Sequence, residues 1–317
     1  METREIPGNK LTDKAFEWII KHNDNKLVMG LVTFSLPQLF LKWILNHNKN
    51  HKSAFGGKAC ITLSFDCDYE EDVAAFPRLL DLISPYPFKT SFAIVGNWVE
   101  RFPGEHKLIV DAGHEIVNHT YSHPDNEILN PGRKFKYLSI TDKTEEITRC
   151  HEVIYNILGV EPTGCRIPHF RNFFSDDIYK ILKSLNYKYS SSTLLVNTAS
   201  YGLPFQAENG IWEFPLSTCP KHPFTVFDTW HSFNSRHPAY RLIHRSEAQF
   251  VRLFKLLVDI GIETQSYLNI YFDPLDVPRM KHFKEMLDYV NQKSSVLCVK
   301  TYSELVHTLD STNSMTH

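Results

Sequence analysis

The chain has 317 residues, of which 42% are hydrophobic and 22% charged, and its formal net charge at pH 7 is -2. This length accommodates one large α/β domain of about 250 residues together with an appendage. The charge argues against nucleic acid as the main partner, because no basic field would attract phosphates. The six cysteines are scattered without a CxxC pair, which favours a reducing compartment over a disulfide framework.

The chain divides into two regions of different character. Residues 1–55 are predicted to form a helical extension, and residues 56–317 a catalytic domain. The polar run over 46–52, followed by Gly56 and Gly57, predicts a linker between them. The first residues are polar and no apolar core follows directly, so no secretory signal is expected. We therefore expect a cytoplasmic protein, with the inner face of the membrane as one option.

The extension contains two predicted helices. Residues 11–22 favour a short helix, and residues 38–46 favour another, with Pro37 in its first turn. The apolar stretch 27–45 reaches the length of a membrane span, but polar residues including Lys42 interrupt it. Two interpretations stay open, namely packing against the chain's own domain and peripheral contact with a membrane.

From residue 58 onward, short apolar strands alternate with helical patterns. Strands are predicted over 59–65, 90–95, 115–118, 165–167, 189–191, 211–214, 267–271 and 296–299. Helices are predicted between the second and third strands and over 73–83, 142–158, 176–185, 246–259, 278–290 and 302–309. Repeated β-then-α units predict an α/β barrel of parallel strands, in which chemistry collects at the carboxyl ends of the strands.

The first strand ends in two acids. Alternate residues of a strand point the same way, so Asp66 and Asp68 should share a face while Cys67 points away. Two carboxylates there repel each other and lose water, which is tolerable if a cation binds one and the other transfers protons. The alternative is an acidic turn that caps the next helix.

Two histidines follow the third strand. His119 and His123 are four residues apart, and on a helical turn they would lie on one side and could chelate a single divalent ion. With Asp68 they offer one oxygen and two nitrogens, a set that suits zinc, cobalt or another transition metal better than calcium or magnesium. The alternative is a pair of surface histidines.

Four segments carry a family resemblance. SFDCD at 64–68, TSFAIVG at 90–96 and AGHEIVNHTYSH at 112–123 resemble, in order and spacing, the polysaccharide deacetylase family (NodB homology, carbohydrate esterase 4). GCRIPH at 164–169 resembles a further motif of that family, and the similarity covers roughly residues 58–309. The resemblance implies a distorted (β/α) barrel and metal-dependent hydrolysis of an N-acyl or O-acyl group on a sugar.

The resemblance also implies roles for individual residues. Asp66 matches the family's catalytic base, Asp68, His119 and His123 match its metal ligands, and Arg166 matches the arginine that pairs with the base. The chemistry is consistent with these roles. The metal would polarise the acyl oxygen and acidify a water, Asp66 would take the proton, and Arg166 would keep Asp66 ionised.

The proton donor is where this chain departs from the family. The family's last motif has a histidine after an apolar strand, whereas residues 271–274 read YFDP here. Asp273 could be a protonated acid if desolvated, or a helix cap. His231 is the rival, and we prefer it for an amide, with Asp273 orienting or charging a nearby imidazole. Trp212 and Trp230 are candidates for stacking on a sugar, or for the core.

The predicted function is removal of an acetyl or formyl group from an acylated sugar that is nucleotide-linked, lipid-linked or a small saccharide. One alternative is a non-catalytic, metal-containing carbohydrate-binding protein that has lost its acid at Asp273. The other is a glycosyltransferase that uses the Asp-x-Asp pair, which would leave His119 and His123 without a role.

Overall fold

The architecture is a curled parallel sheet covered by helices, in a computed structural model that describes residues 10–46, 55–169, 175–234 and 246–314. Within these ranges the strands are β1 Ala59–Cys67, β2 Ser91–Ile94, β3 Glu115–Asn118, β4 Gly164–Cys165, β5 Tyr189–Ser190, β6 Phe205–Gln206, β7 Trp212–Glu213, β8 Tyr267–Phe272 and β9 Leu297–Val299. The helices are α1 Lys10–Lys21, α2 Lys26–Ser35, α3 Pro37–Asn46, α4 Glu70–Ile83, α5 Gly96–Arg101, α6 Pro103–Asp111, α7 Ile140–Leu158, α8 Ile178–Ser184, α9 Glu247–Thr264, α10 Phe283–Gln292 and α11 Tyr302–Ser314.

The strands follow the order β6-β7-β5-β4-β3-β2-β1-β8, and β9 also pairs with β1. Neighbouring strands are parallel, except that β6 is antiparallel to β7. The sheet curls until the segment after β7 meets β8, where Ser217 N donates to Asn269 O at 2.8 Å. The predicted distorted (β/α) barrel is therefore confirmed.

Burial explains why β1 lies inside the sheet. Every residue of β1 is buried, as expected for a parallel strand covered on both faces. The register places Ser64 opposite both Ser91 of β2 and Tyr271 of β8. Asp66 lies opposite Ala93, at the carboxyl end. The acidic end of β1 therefore lies at the edge of the barrel where the loops after the strands come together.

The N-terminal helices share the core of the barrel. Phe40 of α3 is fully buried, and its ring lies 5.4 Å from that of Phe224. The carbonyl oxygen of Leu45 accepts a hydrogen bond from Ser266 Oγ, at the start of β8. Packing against the chain's own domain is thus confirmed for α3. Residues 47–54 lie outside the described residues. They include most of the predicted linker and adjoin the predicted domain boundary after residue 55, so both of these stay predictions.

The hydropathy of these helices bears on the membrane interpretation. Among the described residues, no helix by itself has the length and apolar character needed to cross a bilayer. Helices α2 and α3 taken together pass the length and composition criteria, but they meet at a bend of 100°.

Three elements differ from the sequence-based expectation. Helix α2, which lies within the apolar stretch 27–45, was not predicted as a separate helix. The single helix expected before β3 is two helices, α5 and α6, which meet at Phe102–Pro103. Proline has no amide hydrogen for a continuing helix, but it suits the first turn of a new one. The antiparallel strand β6 was not predicted, because two residues are too few to show a period.

Candidate active site

A cavity of about 450 Å³ opens at the carboxyl ends of the strands. Its walls include every predicted catalytic and metal-binding residue except Arg166, which is fully buried beneath them. The residues lining the cavity include Asp66, Asp68, His119, His123, His169, Leu194, Phe224, Val226, Trp230, His231, Tyr271 and Asp273. The topology thus brings together side chains from the segments that follow β1, β3, β4, β7 and β8.

The three predicted metal ligands converge on one point. Asp68 Oδ1 lies 3.1 Å from His119 Nε2 and 3.3 Å from His123 Nε2. One ligand atom from each residue can be chosen so that all three lie within 4.8 Å of one another. Asp66 and Asp68 both face the cavity, as the strand alternation predicted, while Cys67 is buried in the core.

The histidines do not lie on a helical turn, so that prediction is wrong. They belong to a loop in which Thr120 and His123 have left-handed backbones, with φ angles of 66° and 48°. Asn118 Oδ1 accepts from Thr120 N at 2.9 Å, and Thr120 Oγ1 accepts from His123 N at 3.2 Å. These bonds stabilise a conformation that non-glycine residues rarely adopt. The loop, rather than helical periodicity, brings both imidazoles to Asp68.

The protonation pattern of this cluster fits a cation. His119 Nδ1 lies 2.6 Å from the carbonyl oxygen of Arg166. A carbonyl oxygen can only accept a hydrogen bond, so Nδ1 carries the hydrogen. In the neutral imidazole, Nε2 then has a lone pair, which points towards Asp68. Asp68 Oδ1 is buried and accepts no hydrogen bond from any residue in the described ranges. Ligands about 2.1 Å from one ion lie roughly 3.0–3.4 Å apart, as these atoms do.

The loop that carries Asp68 is held by hydrogen bonds to a buried carboxylate. Asp72 is buried on α4, and its Oδ2 accepts from Asp68 N at 3.1 Å and Tyr69 N at 3.0 Å. Its Oδ1 accepts from Leu275 N at 2.9 Å, in the loop after β8. One carboxylate therefore joins the loop that carries a metal ligand to the loop that carries Asp273.

Asp66 and Arg166 form a buried ion pair. Arg166 Nη1 donates to Asp66 Oδ1, and both side chains are almost completely buried. Burial raises the pKa of Asp66, and the positive charge of Arg166 opposes that rise. The predicted pairing of these residues is therefore present, in a setting where the arginine offsets part of the cost of burying the carboxylate.

Arg166 is held by neighbours that the sequence analysis did not single out. Its Nε donates to the carbonyl oxygen of Ser191 at 3.2 Å, and its Nη2 donates to Ser64 Oγ at 3.1 Å and to Tyr302 Oη. Tyr302 comes from α11, at the far end of the chain, and its hydroxyl donates to Asn269 Oδ1 at 2.7 Å. This network fixes the guanidinium so that one edge faces Asp66.

His231 reaches the cavity from a turn at Trp230–Asn234. His231 Nδ1 lies 2.7 Å from Asp228 Oδ2, which also accepts from Tyr271 Oη at 2.7 Å. Burial by itself would lower the pKa of His231, but the charge and hydrogen bond of Asp228 raise it above its ordinary value. With Nδ1 engaged by a carboxylate, Nε2 is the nitrogen that could transfer a proton to a substrate.

Asp273 supports the same turn. Its Oδ2 accepts from Thr229 Oγ1 at 2.6 Å and from Trp230 N at 2.8 Å. Burial and the neighbouring carboxylates of Asp228 and Asp72 raise the pKa of Asp273 well above its ordinary value. The carboxylate that receives His231 Nδ1 is thus Asp228, where Asp273 was expected.

The two tryptophans differ in position. Trp230 lines the cavity and is 38% exposed, so it remains available for stacking on a sugar. Trp212 is buried, and its Nε1 donates to Asp310 Oδ1 at 2.8 Å. The core alternative therefore holds for Trp212.

Asp228, Tyr271 and Tyr302 are among the contributors that sequence reasoning missed, together with Asp72 and Ser191. The Asp228-x-x-His231 spacing did carry a signal, because residues three apart in a tight turn can bring a carboxylate beside an imidazole. No comparable signal exists for Tyr302, which is 136 residues from Arg166 in sequence.

Comparison with known proteins shows which proteins this segment of the chain is similar to. Residues 55–190 match the family model described as polysaccharide deacetylase. A peptidoglycan-N-acetylglucosamine deacetylase of Bacillus cereus is 34% identical over 119 residues, which cover 37% of this chain and 39% of that protein. A peptidoglycan deacetylase of Helicobacter pylori is 33% identical over 120 residues, 37% of this chain and 36% of that protein.

The fold agrees with these matches. A Mycobacterium smegmatis crystal structure assigned to the polysaccharide deacetylases superposes with a TM-score of 0.67 at 18% identity, over 81% of this chain and 92% of that one. The matched segment spans less than two-fifths of the length of the two curated relatives. Residues 55–190, which contain the three candidate metal ligands, therefore match the polysaccharide deacetylase family in sequence, and the fold is consistent with that match.

Proposed function

We propose that this protein is a metal-dependent hydrolase that removes an acetyl or formyl group from an acylated amino sugar. The observation that carries the proposal is the arrangement in one cavity of a three-ligand cluster, a buried carboxylate and an imidazole–carboxylate pair. These are the components of metal-assisted hydrolysis of an unactivated amide, namely a cation site, a base and an acid.

Asp68, His119 and His123 would hold the ion, with zinc, cobalt or another transition metal suiting one oxygen and two nitrogens. Such an ion supplies a Lewis acid for the acyl oxygen and lowers the pKa of a water. Asp66 then accepts the proton of the attacking water as the new C–O bond forms. Arg166 orients Asp66 through its fixed guanidinium and favours the ionised carboxylate.

His231 gives the proton that the leaving nitrogen needs when the C–N bond breaks. Its raised pKa keeps the imidazole protonated at a higher pH than usual, and Asp228 holds the ring through Nδ1. Asp273 is the second candidate, because burial favours its protonated form. Its two bonds to the turn at Thr229 and Trp230 assign it first to positioning that turn.

The cavity walls indicate the substrate class. Trp230 offers a partly exposed ring to a sugar face, and Leu194, Phe224 and Val226 add apolar surface to the cavity wall. The carrier of the sugar is proposed to be a nucleotide, a lipid or a small saccharide. A cytoplasmic location, or one at the inner membrane face, stays a prediction that cell fractionation would test.

The test is a screen for release of acetate and formate from N-acylated and O-acylated amino sugars. Wild-type protein reconstituted with zinc or cobalt should turn over at least one of them, and Asp66→Asn with the same metal content should not. Metal-loaded wild-type protein that binds acylated sugars without releasing either acid would instead support the non-catalytic alternative. The glycosyltransferase alternative would require sugar transfer from a nucleotide donor with acyl groups intact.

A further inference from the structure

Helix α2 exposes an apolar stripe that nothing in the described ranges covers. Leu27, Leu31 and Phe34 follow the i, i+4, i+7 spacing of one helix face and are 84%, 69% and 86% exposed. The adjoining face carries Val28 and Val32, which are buried against the rest of the chain. Because α2 is anchored through that inner face, the outer stripe cannot turn inward, and it is free to meet a partner outside the described residues.

The charges around the stripe indicate which partner. From Lys26 to Asn46 the sequence contains no aspartate or glutamate, and its charged residues are Lys26 and Lys42. Lys42 pairs with Glu263. That leaves Lys26 at the beginning of the stripe, with Lys21 at the end of the preceding helix and the exposed Asp24 between them. Two positive charges and one negative charge therefore border the stripe, and this excess of positive charge complements an anionic lipid surface.

The backbone of α2 also suits contact with a bilayer. Asn25 Oδ1 accepts from Leu27 N at 2.9 Å and from Val28 N at 3.3 Å, which satisfies two amides of the first turn. At the other end, Leu36 N donates to the carbonyl oxygen of Val32 at 3.1 Å. Backbone groups paired within the chain can approach hydrocarbon at little cost.

The segments on both sides of α2 contact residues in or near the wall of the active-site cavity. Before the helix, Asn23 Nδ2 donates to the carbonyl oxygen of Val196 at 2.9 Å, two residues from the cavity residue Leu194. After it, the ring of Phe40 lies 5.4 Å from that of Phe224, which lines the cavity itself. Helix α2 is therefore connected at both ends to segments that pack on the cavity wall.

We propose that the stripe Leu27, Leu31 and Phe34 docks on an anionic lipid bilayer and brings the cavity mouth to the level of the head groups. Helix α2 lies in the interface without crossing it, since α3 turns back into the protein core. The docking stands independently of the proposed function. Its consequence, that the acylated sugar is part of a lipid held in that bilayer, rests on the proposed function.

Vesicle flotation of the full-length protein tests the docking. Wild-type protein should float with phosphatidylcholine vesicles that contain phosphatidylglycerol. The variant Leu27→Ser/Leu31→Ser/Phe34→Ser should lose roughly 100-fold in vesicle partitioning, because most of the apolar area that enters the bilayer is removed. A matched control, Leu108→Ser/Tyr155→Ser/Ile157→Ser, replaces exposed apolar residues on α6 and α7 and should float like wild type.

The electrostatic part has its own variant. Lys21→Gln/Lys26→Gln should weaken binding several-fold to vesicles with phosphatidylglycerol, and little to vesicles of phosphatidylcholine alone. Wild-type protein that stays unbound with every vesicle would overturn the proposal, as would a stripe variant that floats as well as wild type. A wild-type dimer that the stripe variant converts to a monomer would assign the stripe to a second copy instead.

A kinetic comparison separates this inference from the proposed function. Asp66→Asn should float like wild type, since docking needs no catalysis. The stripe variant should hydrolyse a water-soluble acylated sugar at the wild-type rate, and an acylated glycolipid in vesicles at least ten-fold more slowly. Equal rates of glycolipid hydrolysis by the stripe variant and by wild type would overturn the inference that the substrate is a lipid. No turnover of any substrate by wild type would overturn the proposed function and leave the flotation result standing.

Discussion

His119 Nδ1 lies 2.6 Å from the carbonyl oxygen of Arg166, whose guanidinium donates to Asp66. Arg166, which directly follows β4, therefore has two roles. Its backbone fixes the tautomer of His119, a proposed metal ligand, and its side chain orients Asp66, the proposed base. A shift of this segment would disturb the cation site and the base together. The predictions below separate these roles by changing one group at a time.

The role of Asp66 as a base predicts a loss of rate without loss of metal. Asp66→Asn keeps the shape and removes the basicity, so turnover should fall by roughly 10²–10⁴ while metal content barely changes. Steady-state turnover and metal content, measured on the same preparation, check this. Loss of the metal in this variant would make Asp66 a ligand instead.

The buried ion pair of Asp66 and Arg166 predicts that removing the arginine destabilises the fold. Arg166→Met leaves Asp66 buried without its cation, which should cost about 3–5 kcal/mol in the free energy of unfolding. The double variant Asp66→Asn/Arg166→Met removes both charges and should recover part of that loss. Urea unfolding of the metal-free proteins measures both values. An Arg166→Met protein as stable as wild type would show that the ion pair contributes nothing.

The pair His231–Asp228 predicts a pH effect. His231 acts in its protonated form and its pKa is raised, so activity on an amide should fall only as pH rises through that raised pKa. Removing the negative charge in Asp228→Asn should move this alkaline limb to lower pH. Tyr271→Phe is the control, because it keeps the negative charge of Asp228. The alkaline limb of its pH–activity profile should stay near that of wild type. An unmoved limb in Asp228→Asn would exclude His231 as the titrating acid.

The same pair should appear in the stability of the fold. A histidine whose pKa is higher in the folded than in the unfolded chain stabilises the fold fully below about pH 6.5. That contribution is lost as pH rises through the folded-state pKa. The difference in unfolding free energy between wild type and His231→Gln should therefore shrink with rising pH.

The identity of the acid is tested by comparing His231→Gln with Asp273→Asn on an amide and an ester of one sugar. An amine anion is a far poorer leaving group than an alkoxide, so loss of the acid should harm amide hydrolysis more. We expect His231→Gln to lower amide turnover by roughly 10²–10⁴. Asp273→Asn should have a smaller effect, which acts through the turn it supports. If His231→Gln keeps amide turnover while Asp273→Asn loses it, the aspartate is the acid.

The sequence predicted the parts of the site that depend on one strand and its end. The apolar run into Asp66 and Asp68 specified a buried strand, and the period of two placed both carboxylates on the cavity side. His119 and His123 were found for their spacing, but their loop was mistaken for a helical turn. The left-handed φ of Thr120 depends on hydrogen bonds to a neighbouring side chain, which spacing cannot reveal.

Other parts needed the folded chain. Asp228 becomes informative only when β8 brings Tyr271 beside it, and Tyr302 only when α11 returns to Arg166. The N-terminal segment was left between two interpretations because hydropathy alone does not assign helix faces. Burial shows the packing, with Val28 and Val32 of α2 inward, and contact of the exposed stripe with a membrane stays a prediction.

Metal content of the purified protein, measured by inductively coupled plasma mass spectrometry, tests the central claim most directly. The account predicts about one divalent transition-metal ion per chain in wild type, and loss of that ion in His123→Ala with the fold intact. His169→Ala is the matched control, because His169 lines the same cavity outside the ligand cluster and should leave occupancy unchanged. Full metal occupancy in His123→Ala would contradict the account.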